Sequence, residues 1–196
     1  MSFLENTIIK EKVKTKRRIL TKAVSEKNWY VLYTAPRAEK IAKRELEFKG
    51  YEVFLPLTQT LRIWKNRQKK MIDTVLFPSY IFVFTDERHL AEICRVNKIK
   101  TFIQCGGKAS KIKTEYIEGI KRMLDSKQEI SVDHDFTEGE QVRIIKGPLT
   151  GYEGILVRQK TKTKFGIHLR EINQTVLVEI CVDAVEKITK TKSVKL

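Results

Sequence analysis

The sequence predicts an α+β protein of two domains, an α/β unit at residues 28–125 and a small all-β barrel at 138–188. Three observations carry this. From Asn28 to Asp125, β-rich apolar runs alternate with amphipathic segments of helical period. From Glu140 onward, "EQVRIIKG", "YEGILVRQK", "KFGIHLRE" and "TVLVEIC" recur as short strands separated by "GPLTG", "TKTK" and "INQ", the rhythm of a small barrel. Between the two, "DSKQEISVDHDF" is polar and aperiodic and reads as a linker over 126–137.

Taken in order, residues 1–27 carry "KEKVKTKRRILTK", a basic extension that suits a disordered arm or a basic amphipathic helix. "NWYVLYT" is a strand. In "APRAEKIAKRELEFKG", Pro36 suits a first helical turn and Gly50 a C-terminal cap. Ala38, Ile41, Ala42 and Leu46 form the expected buried stripe, and Lys40, Lys43 and Arg44 a cationic stripe elsewhere on the helix. "YEVFLPL" is a second strand. "TLRIWKNRQKKMIDTV" reads as a hairpin with its tip at Asn66, ringed by Arg62, Lys65, Arg67, Lys69 and Lys70 without an acid among them.

The next strand, Ser79 to Phe84, lies within "LFPSYIFVF". "DERHLAEICRV" is a short helix, "KTFIQC" a strand and "GGK" a turn. Thr114 is placed to cap a helix over "EYIEGIKRML", with Ile117, Ile120 and Leu124 on one side. In the barrel, Gly147, Gly151 and Gly154 allow tight turns and close backbone approach, and Pro148 fixes a corner. Val142, Ile144, Ile155, Val157, Val176, Val178 and Ile180 favour strand over helix. Residues 189–196 are a short tail.

Lys and Arg outnumber Asp and Glu by 39 to 24, a net charge of +15. The surplus is +5 over residues 1–28, +8 over 29–125 and +2 over 126–196. A polyanion contact, nucleic acid above all, is therefore expected in the first two regions. No apolar run approaches the length that spans a bilayer, and the N-terminus lacks the apolar stretch of a signal peptide. Cys94, Cys105 and Cys181 show no C-x-x-C spacing, which suits a reducing cytoplasm and argues against disulfides or a thiolate zinc site.

Reactive groups do not converge. "CGGK" lacks the rest of a phosphate-cradling loop, and His89, His134 and His168 lie far apart in unlike contexts. Carboxylates sit beside Lys or Arg, as solvated pairs do. The expectation is a binder without enzymatic activity, cofactor or metal.

"LFPSYIFVF" poses the sharpest question, because Phe77, Tyr80, Phe82 and Phe84 oppose Ile81 and Val83, so both faces of the strand are apolar. Three readings stay open. The second face joins an ordinary core, or forms a stacking platform for bases as in an RRM sheet, or lines an apolar depression for a partner helix.

The ordered set "WYVLYTAPRAEKIAKRELEFKGYEVFLPL", "LFPSYIFVF" and "RVNKIKTFI" resembles a NusG N-terminal (NGN) domain, and "EGEQVRIIKGPLTGYEGIL" resembles the KOW motif that opens the family's SH3-like barrel. The resemblance covers Asn28 to about Ile188. "PRAEK", "LPL", R-x-W and "LFPSY" are more similar still to the UpxY-type paralogues, antiterminators of surface-polysaccharide operons. It implies an antiparallel NGN sheet with helices, and a monomer that rides bacterial RNA polymerase. Phe77, Pro78, Tyr80 and Phe82 would meet the clamp helices, and a gate-loop contact would fall at His89 to Glu92. The Lys40, Lys43, Arg44 stripe, the Arg62–Lys70 hairpin, Asn97 and Lys98 would reach upstream or non-template DNA, and nascent leader RNA is a further partner. The barrel would recruit Rho or a ribosomal protein. The alternative is an RNA-binding or ribosome-associated KOW/RRM-like module.

Overall fold

The computed structural model describes residues 26–64, 67–126, 128–133, 139–159 and 162–188. The basic extension before Glu26, the tail after Ile188, Lys65, Asn66 and His134 lie outside the described residues.

Strand β1 (Asn28–Thr34), helix α1 (Glu39–Phe48) and strand β2 (Glu52–Phe54) lead to a hairpin of β3 (Leu57–Ile63) and β4 (Lys69–Val75), then β5 (Tyr80–Thr85). A 3-10 turn at Glu87–His89 enters the one-turn helix α2 (Leu90–Ile93). Strand β6 (Ile99–Phe102) and the short β7 (Gln104–Cys105), β8 (Lys108–Ala109) and β9 (Lys111–Ile112) precede helix α3 (Thr114–Asp125). The barrel half holds β10 (Ile130–Asp133), β11 (Glu140–Ile144), β12 (Glu153–Gln159), β13 (Lys162–Leu169), β14 (Gln174–Glu179) and β15 (Val185–Lys187).

The first sheet runs β2-β5-β1-β6 with β9 also on β1, and every pairing is antiparallel. Because β1 and β5 are apolar on both faces, the sheet is covered on both. Tyr30, Leu32, Ile81 and Val83 pack with Ala42 and Leu46 of α1 and with Leu90 and Ile93 of α2. Trp29, Val31 and Phe82 share the opposite cluster with Ile117, Ile120 and Met123 of α3. Each of these fully buried α3 side chains contributes about 1.5–3 kcal/mol, which holds the helix on the sheet. The result is a helix–sheet–helix sandwich.

The second sheet is ordered β10-β14-β13-β12-β11-β15. Its outermost member comes from the segment expected as a linker, for Ile130 pairs with Val178 and Val132 with Val176. Apolar Ile130 and Val132 alternate with Ser131 and Asp133 there, a period of two too short to stand out from its polar flanks.

The two domains touch through α3. A side chain on Gly119 would place its Cβ 2.5 Å from Ile167 Cδ1 of β13 and 3.1 Å from Tyr152 Cδ1, so the glycine is what lets the barrel approach. The Arg122 guanidinium lies 5.3 Å from the Tyr152 ring centre, a cation–π contact across the same seam. The aromatic-face cluster accordingly continues into Val142, Leu156 and Phe165 of the barrel.

Three local expectations change. Ile41 is exposed and Glu39 is buried in its place, so the inward stripe of α1 is Ala38, Glu39, Ala42 and Leu46. Pro36 stands in the turn before α1, because Arg37 takes a left-handed φ of 60° and the helix starts two residues later. Thr114 is the first helical residue of α3; Lys113 is the N-cap, and no side chain caps the helix there. Gly50 ends α1 as expected, with φ 83° and its N–H donating to Glu47 O.

Candidate functional site

The Phe-Pro bend is built around Ser79, which holds a left-handed φ of 67°. That conformation costs a non-glycine residue about 1–2 kcal/mol. Two hydrogen bonds offset it: Ser79 N–H donates to Glu39 Oε1 at 2.7 Å, and Ser79 O accepts from Thr34 N–H at 2.8 Å. The bend turns Phe77 inward and leaves Pro78 exposed.

Inside the bend the rings form a continuous packed layer. Phe77 and Phe82 meet edge to face at 5.7 Å, Phe82 and Phe54 lie 5.9 Å apart, and Trp29 contacts Phe84 at 5.4 Å. Lys121 of α3 lays its ammonium 5.4 Å from the Trp29 ring and 5.6 Å from that of Phe54. Phe77 and Phe82 are each 0% exposed. Neither is therefore an open wall of a hollow in this conformation, because interior packing within the cluster shared with α3 and the barrel covers both.

What stays open is the next rung. Tyr33 is the register partner of Tyr80, their rings lie 5.6 Å apart, and Tyr33 is 38% exposed. With Pro78 they form an aromatic ledge at the end of the sheet. Sequence reasoning passes over Tyr33, although the alternation 29, 31, 33 places it on the face of Phe82. Two more strained residues frame the same end: Arg37, and Lys98 with φ 71°, whose carbonyl accepts from Ala35 N–H at 2.8 Å. Asn97 and Lys98 are exposed. His89 and Glu92 are exposed beyond them, and the His89 ring stands edge-on to Tyr51 at 6.3 Å.

The cations of α1 are partly engaged. Lys40 Nζ donates to Asp73 O at 3.0 Å and ties the helix to β4, while Lys43 pairs with Glu47 at 3.6 Å. Arg44 is exposed. The hairpin is the freer cationic surface. Arg62, Arg67, Lys69 and Lys70 are exposed, and among the described residues none of them has an ion-pair partner.

In the barrel the three expected turn glycines serve two purposes. Gly147 and Gly151 have φ of 93° and 90° with open space around them, so backbone conformation selects glycine. Gly154 is selected by proximity: a Cβ there would collide with Gly166 O and with the Phe165 ring. A cleft of about 1180 Å³ separates the start of α3 from the barrel, with Lys113, Glu118, Tyr152 and His168 in its lining. His168 Nδ1 lies 2.9 Å from Thr175 Oγ1, and burial, then the nearby Arg170 charge, push its pKa below the usual imidazole value. Among the described residues no group of His, Cys, Asp and Glu could hold a metal, and no helix is long and apolar enough to cross a membrane.

The chain is similar to known proteins. The family model described as "Transcription termination factor nusG" matches residues 27–121. The transcription termination/antitermination protein NusG of Halalkalibacterium halodurans is 27% identical over 179 residues, 83% of this chain and 99% of that protein. Its counterpart in Streptococcus pyogenes is 31% identical over 159 residues, 74% of this chain and 88% of that protein. A solved structure titled "Domain interaction in Thermotoga maritima NusG" is 20% identical, covers 84% of this chain and 98% of that one, and has a TM-score of 0.49. By their names these relatives are transcription termination/antitermination proteins. This chain, with an NGN domain and an all-β C-terminal domain, belongs to the NusG family.

Proposed function

We propose that the protein is a specialised, UpxY-type elongation and antitermination factor of the bacterial cytoplasm, acting on long operons such as surface-polysaccharide clusters. It binds RNA polymerase through the NGN domain and suppresses pausing without catalysing a reaction. The observation that carries this is the open Tyr33–Tyr80 pair beside Pro78, at the segment by which the resemblance places the clamp helices. Phe77 and Phe82 form the rigid floor beneath that ledge. Covering the two half-open rings would contribute about 1.5–3 kcal/mol each, enough to anchor a small interface.

The remaining surfaces fit the same role. Asn97, Lys98, Arg44 and the hairpin cations face the DNA that threads the enzyme, and phosphate contact there supplies salt-dependent affinity. His89 and Glu92 lie on the side that would reach the gate loop. The near-balanced barrel is left for a protein partner, Rho or a ribosomal protein.

The test is a Tyr33→Ala/Tyr80→Ala variant, checked for an unchanged fold, in a reconstituted transcription assay on a pausing template. Loss of co-purification with polymerase together with loss of pause suppression is the expected outcome. A folded variant that still co-purifies fully and still shortens pauses would falsify the reading.

A further inference from the structure

The β3–β4 hairpin is a two-stranded sheet of its own, and a ribbon of two strands is marginal in water without a third strand or a covering layer. Its two faces differ in kind. Register pairs Leu61 with Met71 and Ile63 with Lys69 on one face, and Thr60 with Ile72 and Arg62 with Lys70 on the other. The first face is largely aliphatic and open: Leu61 and Met71 are each 52% exposed and Ile63 is 64% exposed. At its base Leu57 and Val75 join the core that also holds Ala42 and Leu46 of α1.

One bond sets the phase of the backbone. Trp64 N–H donates to Gln68 O at 2.9 Å, so Thr60 and Arg62, on the same alternation, turn their N–H and C=O groups towards β4. Gln59, Leu61 and Ile63 aim theirs away from the ribbon, as Asp73 does on the other strand. The β4 edge is engaged there, because Asp73 O accepts from Lys40 Nζ at 3.0 Å. The β3 edge is open. Gln59, Leu61 and Ile63 are exposed, and among the described residues no backbone hydrogen bond reaches their outward groups. An open strand edge is a template for another strand.

We propose that the β3 edge takes a third strand from a protein partner, an extended segment in which apolar and acidic residues alternate. Side chains of an added strand fall on alternate faces, so those beside Leu61 and Ile63 extend the aliphatic face and the one beside Arg62 joins the cationic face. Arg62 and Lys70 stand directly opposite each other, and like charges so placed destabilise a strand pair. Among the described residues neither has an ion-pair partner, and the sequence from Arg62 to Ile72 contains no acid. An acid on the added strand supplies the missing charge. A second copy of this chain would bring only more cations to the ribbon. Nucleic acid would answer Arg62 but has no peptide backbone to complete the ladder and no aliphatic side chains to cover Leu61 and Ile63. The proposal does not depend on how the Tyr33–Tyr80 ledge is used.

The test is NMR of the full chain titrated with a capped peptide of alternating valine and glutamate, as long as β3. Before peptide is added, the amides of Leu61 and Ile63 should exchange freely and those of Thr60 and Arg62 slowly. The peptide should slow the first pair. In an antiparallel pairing, the more stable kind, its valines present their N–H groups to β3. N-methylation at the valines should therefore weaken binding about tenfold or more, and N-methylation at the glutamates should not. Proline is tolerated at an outward-facing edge position, so Leu61→Pro should keep the hairpin and lose the peptide. Arg62→Glu should reverse the preference, towards a peptide of alternating valine and lysine.

No binding of the alternating peptide overturns the proposal. Equal binding of a scrambled peptide, or of the peptide N-methylated at valine, does so too, because charge and composition then suffice without a ladder. Binding that leaves the amides of Leu61 and Ile63 unprotected has the same force. Protection of those amides that grows with protein concentration alone gives the edge to a second copy, which also overturns the proposal. If Leu61→Pro unfolds, Arg62→Glu and the two N-methylated peptides decide the matter.

Discussion

Glu39 and Ser79 are joined by a carboxylate–amide hydrogen bond of 2.7 Å that reaches across forty residues of sequence. The acceptor is 5% exposed and the donor sits in a left-handed turn, so each compensates for a cost borne by the other. One bond thereby ties the first turn of α1 to the Phe-Pro bend that carries Tyr80.

Glu39→Ala should therefore lower stability by about 1.5–3 kcal/mol, the range for a charge-assisted hydrogen bond, and loosen the aromatic ledge proposed above to dock polymerase. Glu39→Gln keeps an acceptor oxygen and should recover most of the loss. Denaturant melts of the three proteins check this. Equal midpoints for Ala and wild type would show that the bend holds its shape by other means.

At Gly119 two effects oppose. Replacing glycine with leucine inside α3 gains about 0.8 kcal/mol of helix propensity. The same side chain must enter space held by Ile167, which is 1% exposed, and by Tyr152, and overpacking of that kind costs about 1–3 kcal/mol. Separation of the domains relieves the clash and keeps the gain. Gly119→Leu should thus give a larger radius of gyration in X-ray scattering, with faster amide exchange at Tyr152 and Ile167. An unchanged scattering curve would count against α3 as the hinge of the interface.

The pH response of the barrel follows from His168. Its folded pKa lies below the ordinary 6.5, by burial first and the Arg170 charge second, so the unfolded chain takes up the proton first as pH falls. The contribution to stability is complete above about pH 6.5 and is lost as pH drops below it. Thermal melts of wild type minus His168→Gln, run from pH 8 to pH 5, should be flat above that point and decline beneath it. A difference curve with the opposite slope would mean that the protonated ring gains a partner.

Much of the architecture was legible because it rests on local rules. Strand β1, the cationic hairpin, the Gly50 cap and the barrel strands each follow from periodicity or turn chemistry in a short window. What escaped were long-range relationships. Nothing near Glu39 announces a buried carboxylate, because its partner is the amide of Ser79. Ile41 looked like core by helical spacing, yet the polar Glu39 had the better inward claim. At Phe77 and Phe82 "LFPSYIFVF" is ordinary interior packing, in one cluster with Ile117, Ile120 and Met123 of α3, which comes from much later in the chain. Tyr33 needed only the register between β1 and β5 to be noticed, and register is a property of two strands.

Strand β10 has a mechanical consequence. With Ile130 zipped to Val178, only residues 126–129 tether α3 to the barrel sheet, a leash of at most about 18 Å. Opening the Gly119 seam alone lets the barrel rock close by, at a high effective concentration for re-docking. Unzipping Ile130–Asp133 from β14 would lengthen that leash to about 50 Å, so the β10–β14 ladder sets how far the barrel can move from α3 once the seam is open.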